Sequence, residues 1–131
     1  MIRVVTAIII DARGRLLLVR KRETACFMQP GGKIEPGETA RAALRRELAE
    51  EVGLTMPEEE LHYVGTGSAP AANEPGMIVH AEIFRVSPPP GFRPVCGGEI
   101  EELLWFDPAR DKDLAVAPLT REQVLPRFLS A

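Results

Sequence analysis

The sequence has few cysteines and no long uninterrupted apolar run. Cys26 and Cys96 are the only cysteines among 131 residues, and neither has a second cysteine at metal-ligand spacing. This usage indicates reduced thiols rather than a disulfide framework or a cysteine metal site. The mostly apolar stretch at residues 4–10 ends at Asp11, so it is too short to cross a membrane and lacks the features of a secretion signal. We therefore expect a cytoplasmic protein with no membrane partner.

The chain also lacks an excess of basic charge. Its 16 Lys and Arg residues stand against 19 Asp and Glu residues, which gives a formal net charge of -3. Proteins that bind nucleic acids normally present a basic surface to the phosphates. We therefore expect no stable complex with nucleic acid. A small polyanionic ligand would need a local cation to offset charge repulsion.

Repeats, low-complexity segments and linkers are absent as well, so a single domain over residues 1–131 is predicted, with a homodimer left open. Aliphatic and β-branched runs predict five strands, at residues 3–10, 15–20, 61–67, 77–86 and 101–106. The first two are joined by "DARG", in which Gly14 can adopt positive φ, and are expected to pair as a hairpin. Strands and helices that do not alternate regularly favour an α+β domain with helices packed on a mixed sheet.

A helix is predicted over residues 39–52. Leu44, Leu48 and Val52 recur every four residues and form an apolar stripe, and Gly53 follows as a C-cap glycine would. The helix therefore has a face for the core and a defined end.

A second, shorter helix is predicted near the C-terminus, in "LTREQVLPRFL". Thr120 stands three residues before Gln123, which is the spacing of a capping box, and Pro126 is expected to bend or break the helix. Half of the 12 prolines lie at residues 68–76 and 87–98, which predicts two long surface loops of the kind that often form binding walls.

The charges on the first helix run against the helix dipole, which favours acids at the start and bases at the end. Three arginines precede three glutamates, in the order Arg41, Arg45, Arg46, Glu47, Glu50, Glu51. The glutamates share one face, and their mutual repulsion should cost several tenths of a kcal/mol per contact. One interpretation is a solvated surface on which Arg46 pairs with Glu50. The other is a site for a divalent cation, since Mg²⁺ prefers carboxylate oxygens.

The segment before this helix favours the second interpretation. "PGGKIEPGE", residues 30–38, is a glycine-rich loop that leads into the helix start, where the backbone can approach a ligand closely and phosphate oxygens are attracted. A glycine loop at fixed distance from a three-carboxylate face could hold both a phosphate chain and the metal that neutralises it.

These residues resemble the Nudix box. Nine specified positions across 23 residues fit its pattern without exception: Gly32, Glu38, Arg46, Glu47, Leu48, Glu50, Glu51, Gly53 and Leu54. The resemblance implies an α/β/α sandwich with a mixed sheet between helices, and a MutT-like hydrolase that cleaves nucleoside diphosphate-linked compounds with Mg²⁺ or Mn²⁺.

The resemblance also implies roles for individual residues. Glu47, Glu50 and Glu51 would bind the metal, and the carbonyl of Gly31 or Gly32 would complete its ligands. Arg46 would orient Glu47 through an ion pair, and Glu47 or Glu50 would act as the general base. Glu38 and Gly53 would support the loop and the helix. A further glutamate from a later loop is expected, with Glu99 preferred over Glu101, Glu102 and Glu82.

Substrate contacts are predicted around the same loop. Lys21, Arg22 and Lys33 flank the phosphate region, and Phe27 lies just before it as a candidate wall of the cleft. The expected reaction converts a nucleoside triphosphate to the monophosphate and pyrophosphate. ADP-ribose or another sugar nucleotide is the alternative, because Pro70 lies about where ADP-ribose hydrolases of the family carry a proline, although no glycine follows it here. A ligand-sensing module without activity is the third reading, disfavoured because all the box glutamates are present.

Overall fold

The computed structural model describes residues 1–129, which form six strands and two α-helices. The strands are β1 (Ile2–Ile9), β2 (Leu16–Lys21), β3 (Gly31–Lys33), β4 (His62–Pro70), β5 (Ile78–Val86) and β6 (Ile100–Phe106). The helices are α1 (Ala40–Val52) and α2 (Leu125–Leu129), accompanied by a 3₁₀ turn at Glu58–Glu60 and a π-helical turn at Thr120–Val124. No helix in residues 1–129 is long and apolar enough to span a bilayer.

The strands form two sheets. The first has the order β3-β1-β5-β4, in which β1 and β5 are parallel and the other pairs are antiparallel. The second consists of β2 and β6 in antiparallel pairing. The first sheet is mixed, and together with the two helices it gives an α+β arrangement, as the sequence predicts.

The predicted hairpin between β1 and β2 is wrong. The turn between them exists, with Gly14 at φ 78°, but beyond it only Ile10 and Leu16 form a bridge. The end of β1 is buried on both faces, as is typical of a central strand, and its two edges already pair with β3 and β5. The chain therefore leaves the first sheet after β1 and turns at Gly14. Strand β2 then pairs with β6 in the second sheet.

Residues 31–33 form a strand rather than part of a loop. The segment Gly31–Lys33 pairs antiparallel with Val4, Val5 and Thr6 of β1. Gly31 permits this pairing because a Cβ atom there would lie 2.0 Å from the carbonyl oxygen of Val5. Glycine therefore serves here to bring two backbones together.

The first helix matches its prediction. Thr39 is the N-cap, and its side chain accepts a hydrogen bond from the backbone N–H of Ala42 at 3.1 Å. Gly53 is the left-handed C-cap at φ 71°, and its N–H donates to the carbonyl of Leu48. The apolar stripe of the helix is fully buried.

The predicted capping box near the C-terminus is wrong. The N-cap position of the π-helical turn is Leu119, without a side-chain cap, and Thr120 lies inside the helical segment. The hydroxyl of Thr120 donates instead to Oε1 of Gln29 at 2.6 Å. Pro126 is the second residue of α2, which follows the π-helical turn directly.

Two clusters of buried side chains hold the elements together. One joins α1 to the first sheet and includes Val5, Leu44 and Leu48, and the other lies beneath the C-terminal turns and includes Ile83 and Val124. Helical segments therefore cover different faces of the strands. This arrangement places α1 beside β3 and leaves the opposite surface of β3 facing the C-terminal turns.

Candidate metal and phosphate site

Arg46 is the centre of the ion-pair network on α1. Its Nε and Nη2 atoms donate to the two carboxylate oxygens of Glu38 at 2.9 and 2.8 Å, and Nη1 donates to Oε1 of Glu47 at 2.7 Å. The nearest oxygen of Glu50 lies 3.8 Å from Nη1. The guanidinium group thus connects the loop glutamate to the helix glutamate. The contact with Glu50 is the longer one, so pairing to Glu50 is not its main role.

This network fixes the charge of Glu38. The hydrogen bonds from Arg46, assisted by the backbone N–H of Glu35, lower the pKa of Glu38 to about 2. In return, the Glu38 carboxylate raises the pKa of Arg46. Because both groups remain charged at neutral pH, the turn before α1 is held to the middle of the helix.

Glu47 lies directly against β3. A Cβ atom on Gly32 would fall 2.6 Å from Cδ of Glu47, so only glycine leaves room for the carboxylate in this position. Burial raises the pKa of Glu47, although the hydrogen bond from Arg46 opposes the shift. Oε1 of Glu47 is held by Arg46, whereas Oε2 has no hydrogen bond within residues 1–129.

Glu51 is a buried carboxyl group without a cationic partner. It is 7% exposed, and its Oε1 accepts one hydrogen bond, from the backbone N–H of Gly31 at 3.0 Å. Burial raises the pKa of Glu51 to about 7, and the nearby charge of Glu47 adds to the shift. No basic side chain of the described residues lies within 4.0 Å of it. A buried carboxylate of this kind is normally paired or bound to a metal.

The oxygen donors on α1 have the chemistry of a divalent cation site. Mg²⁺ and Mn²⁺ favour carboxylate and carbonyl oxygens, and Glu51 in particular forms no ion pair with a basic side chain of residues 1–129. The third glutamate, Glu50, has a side chain that is 58% exposed. The donor set therefore fits a metal by its chemistry, although across residues 1–129 no three acidic, cysteine or histidine side chains close around one point.

The loop at residues 87–99 is attached to the C-terminal end of α1. The N–H of Gly97 donates to the carbonyl of Glu51 at 2.9 Å, and the N–H of Val95 donates to that of Val52 at 3.2 Å. These bonds satisfy carbonyl groups that a helix end leaves free. The loop therefore supports the glutamates of α1 rather than forming a wall of a cleft.

Glu99 is the last residue of this loop and is exposed. Its carbonyl accepts a hydrogen bond from the backbone N–H of Arg22 at 2.9 Å, and the two residues line a pocket with Lys21 and Thr24. Of the rival glutamates, Glu102 pairs with Arg20 at 2.7 Å, Glu82 is hydrogen bonded to Tyr63, and Glu101 is exposed on β6. Metal binding by Glu99 stays a prediction.

A cleft of about 130 Å³ opens beside β3. Its floor includes Val4, Thr6 and Val79, one wall is the segment 70–74, and the other includes Leu119 and Thr120. The polar end is formed by Gly31, Gly32, Lys21 and Lys33. Because these two glycines also contact the glutamates of α1, the cleft and the carboxylate site share the strand β3.

Comparison with known proteins identifies the family. The family model of the NUDIX domain matches residues 1–128. The chain belongs to the Nudix family. Its fold is similar to that of the dihydroneopterin triphosphate pyrophosphohydrolase of Escherichia coli, with a TM-score of 0.78, 22% identity, and coverage of 98% of this chain and 96% of that one.

Curated Nudix relatives differ in their named substrates. The chain is 32% identical over 123 residues to the CTP pyrophosphohydrolase of Escherichia coli, covering 90% of this chain and 84% of that protein. It is 40% identical over 65 residues to the 8-oxo-dGTP diphosphatase of Haemophilus influenzae, covering 47% of this chain and 48% of that protein. The chain thus spans less than half the length of some curated relatives that it matches.

The residues near the Nudix box that were predicted to contact substrate lie in different surroundings. Lys33 lines the cleft, where its Nζ atom lies 3.7 Å from Oε2 of Glu74. Arg22 lies in the neighbouring pocket with Glu99. Phe27 is 7% exposed, packs in the core and is not among the residues that line the cleft, which argues against a role in binding.

Lys21 was named from the sequence together with Arg22 and Lys33 as a residue able to bind phosphate. The structure places Lys21, rather than Arg22, in the cleft, and its charge acts on both Glu47 and Glu51. The pair Gln29 and Thr120 had no comparable signal, because these residues lie in different parts of the chain and meet only in the folded protein.

Proposed function

We propose that this Nudix protein is a metal-dependent hydrolase of nucleoside diphosphate derivatives, with nucleoside triphosphates as substrates and a monophosphate and pyrophosphate as products. The observation that carries the proposal is the position of β3. On one side, Gly31 and Gly32 contact Glu51 and Glu47. On the other, they line a cleft with an apolar floor and two lysines. A base in the cleft would therefore place its phosphates at the carboxylates.

The cleft supports a substrate with one ring system at this position. A volume of about 130 Å³ is well below the roughly 300 Å³ at which pockets for drug-sized ligands begin. Lys21 and Lys33 stand at the polar end, where cationic groups can bind phosphate oxygens. The names of the relatives, which include a CTP pyrophosphohydrolase, support the preference for a triphosphate.

Nudix hydrolases generally use divalent metal ions, and in this chain Glu47, Glu50 and Glu51 would hold the ion, with Glu99 and the carbonyls of Gly31 or Gly32 as further ligands. When bound, such an ion screens the phosphate charge and lowers the pKa of a coordinated water.

The protein residues supply positioning and proton transfer. Arg46 holds Oε1 of Glu47, so Oε2 is the oxygen that can accept a proton from the attacking water. Glu50 is the alternative acceptor, since its side chain is exposed beside the same arginine. Lys21 and Lys33 would hold the phosphate chain that leaves.

The test is a substrate screen with Mg²⁺ in ¹⁸O-labelled water, read by the identity and labelling of the products. A nucleoside triphosphate should give the monophosphate and pyrophosphate. Orthophosphate as the first product would contradict the proposed position of the phosphates. Turnover of ADP-ribose to AMP and ribose 5-phosphate, with triphosphates untouched, would favour the sugar-nucleotide alternative. A folded, metal-bound protein that turns over none of these compounds would favour the sensing module.

A further inference from the structure

Two side chains tie the C-terminal segment to the edge of the first sheet. Strand β4 is the last strand of that sheet, so one side of its backbone has no strand partner within residues 1–129. The amide nitrogen of Gln123 donates to the carbonyl of Ser68 at 3.3 Å, and Nη2 of Arg127 donates to the carbonyl of Thr66 at 3.1 Å. Nη1 of Arg127 also donates to the carbonyl of Gln123 at 2.7 Å. Side chains therefore supply donors to two carbonyl groups of this strand.

The spacing of the two donors matches the spacing of the two acceptors. Gln123 and Arg127 are four residues apart, which places them on one face of a helical segment that rises about 6 Å between them. Thr66 and Ser68 are two residues apart on a strand, so their carbonyl groups point the same way about 7 Å apart. The C-terminal segment thus runs antiparallel to β4 and is bonded to it at two points.

Gly67 lies between the two acceptors and makes room for Gln123. A Cβ atom on Gly67 would lie 2.7 Å from Cγ and Oε1 of Gln123, so the glutamine crosses the strand where no side chain stands. The φ angle of Gly67 is not positive, so the backbone conformation itself does not require glycine here. The absence of a side chain at this position therefore serves the close approach of Gln123.

These hydrogen bonds join the two walls of the cleft. One wall, the segment 70–74, begins two residues after Ser68, and the other wall includes Thr120, three residues before Gln123. Thr120 is itself hydrogen bonded to Gln29, two residues before β3. The C-terminal wall is therefore held by directional bonds on both sides of the cleft. Without the bonds to β4, apolar packing alone would hold its outer side.

We infer that Gln123 and Arg127 are positioning residues, which set the width of the cleft and thereby its affinity for nucleotide. This inference rests on the proposed function, since it concerns nucleotide binding in the same cleft. If the wall is in place in only a fraction of the molecules, the apparent affinity falls by that fraction. The net contribution of one such hydrogen bond corresponds to a change of about fivefold. The glutamates of α1 lie across β3, so metal binding should not change.

Variants that remove the donors test the inference by direct binding. Gln123→Glu keeps the size of the side chain, but at neutral pH its carboxylate cannot donate to Ser68. Arg127→Gln removes the guanidinium group. Each substitution lowers the net charge by one, and Arg121→Gln is the matched control because it makes the same change at an exposed residue of the same segment.

AMP, GMP, CMP and UMP are titrated calorimetrically into the parent protein with Mg²⁺, and the monophosphate that binds most tightly is used for the variants. Gln123→Glu and Arg127→Gln should each weaken its binding by about fivefold, whereas Arg121→Gln should match the parent. Gly67→Ala should act like Gln123→Glu, because it displaces the glutamine without altering either donor. Unchanged affinity in these folded variants, or no binding of any monophosphate by the parent, would overturn the inference.

Kinetics distinguish a positioning role from a merely structural one. With a nucleoside triphosphate, the variants should raise KM by about fivefold at unchanged kcat, because binding is weakened equally in the ground state and the transition state. A lower kcat at unchanged KM is the result of a smaller folded fraction and would contradict the inference. Arg127→Lys keeps one donor for Thr66 and should recover part of the affinity.

The same measurements separate this inference from the proposed function. Turnover of a triphosphate with the same KM in parent and variants would leave the hydrolase and overturn the inference alone. Weaker binding of the monophosphate by the variants of a protein that turns over no triphosphate would support the inference and remove the hydrolase.

Discussion

Gly31 and Gly32 are adjacent in sequence but would conflict with different atoms if each carried a side chain. A Cβ atom on Gly31 meets the backbone of Val5, whereas one on Gly32 meets the carboxylate of Glu47. A carboxylate at the end of a side chain can move, but backbone within a sheet cannot move without breaking the pairing. A substitution at Gly31 should therefore affect the stability of β3, whereas a substitution at Gly32 should affect the position of Glu47.

We expect Gly32→Ala to fold normally and to lose activity by roughly 10- to 100-fold, because Glu47 must leave the position set by Arg46. Gly31→Ala should instead lower the free energy of unfolding by more than about 2 kcal/mol. Urea unfolding and steady-state kinetics on both variants provide the check. If Gly32→Ala retained full activity, the observed position of Glu47 would not matter for function.

Arg46→Lys should keep the charge but lose the simultaneous hydrogen bonds to Glu38 and Glu47. A lysine has one ammonium group in place of the planar guanidinium group. We expect kcat to fall by roughly 10- to 100-fold with the fold and metal binding retained. Arg45→Lys is the control, because Arg45 is the exposed neighbour on the same helix. Equal kinetics for the two variants would show that Arg46 has no orienting role.

The buried Glu51 should make the stability of the metal-free protein depend on pH. Its pKa in the folded state is about 7, above its ordinary value of 4.5, so the folded protein holds this proton more tightly than the unfolded chain. The resulting stabilisation is complete below pH 4.5 and is lost as the pH rises to 7. The loss amounts to about 3 kcal/mol at most.

Glu51→Gln should remove this dependence. Urea unfolding at several pH values between 4.5 and 7, without metal, should show the parent losing stability relative to the variant. At pH 7, Mg²⁺ should raise the melting temperature of the parent more than that of the variant, because binding stabilises the folded state by mass action. Parallel pH curves, with equal shifts on adding metal, would contradict the assignment of Glu51.

At the scale of the elements, the loop at residues 87–99 and helix α1 form one unit. A Cβ atom on Gly97 would lie 2.2 Å from the carbonyl oxygen of Glu50, and the N–H of Gly97 donates to the carbonyl of Glu51. The contact is between two backbones, so neither partner can yield by rotating a side chain. The loop thus fixes the part of α1 that carries two of the glutamates.

Gly97→Ala should therefore weaken the binding of Mn²⁺ as well as lower the melting temperature. Gly91→Ala is the control in the same loop, since a Cβ atom there meets nothing within 4 Å, although its φ of 82° adds about 1 kcal/mol of strain. Titration of Mn²⁺ followed by magnetic resonance compares the two. Unchanged Mn²⁺ affinity in folded Gly97→Ala protein would show that the loop does not position the glutamates.

The elements also show what a sequence can predict. Helix α1 was predictable, because its stripe every four residues, its cap residue and its terminal glycine are all local signals. Strand β3 was not, since three residues that include two glycines carry no alternation and form a strand only because β1 offers an edge. The hairpin prediction was wrong for the same reason: pairing partners are decided by the whole sheet.

At the scale of the whole molecule, the glutamate face of α1 and the cleft differ in how far apart their residues lie along the chain. The box residues lie within 23 consecutive residues, so their spacing and the resemblance to the Nudix box together indicated their chemistry. The cleft collects β1, β3, the segment after β4 and the C-terminal turns, which no local pattern connects. The roles of the box residues and the single domain over residues 1–131 stay predictions, and residues 130 and 131 lie outside the described part.

At Gly31 and Gly32, β3 consists of backbone alone, so the sheet is a thin partition at this point. At Gly31 and Gly32, no side chain stands between the helix with its glutamates and the space beside Lys21 and Lys33. An electric field weakens with distance, so a thin partition lets charges on its two sides act on each other strongly. A residue larger than glycine would push the two sides apart and so weaken this interaction.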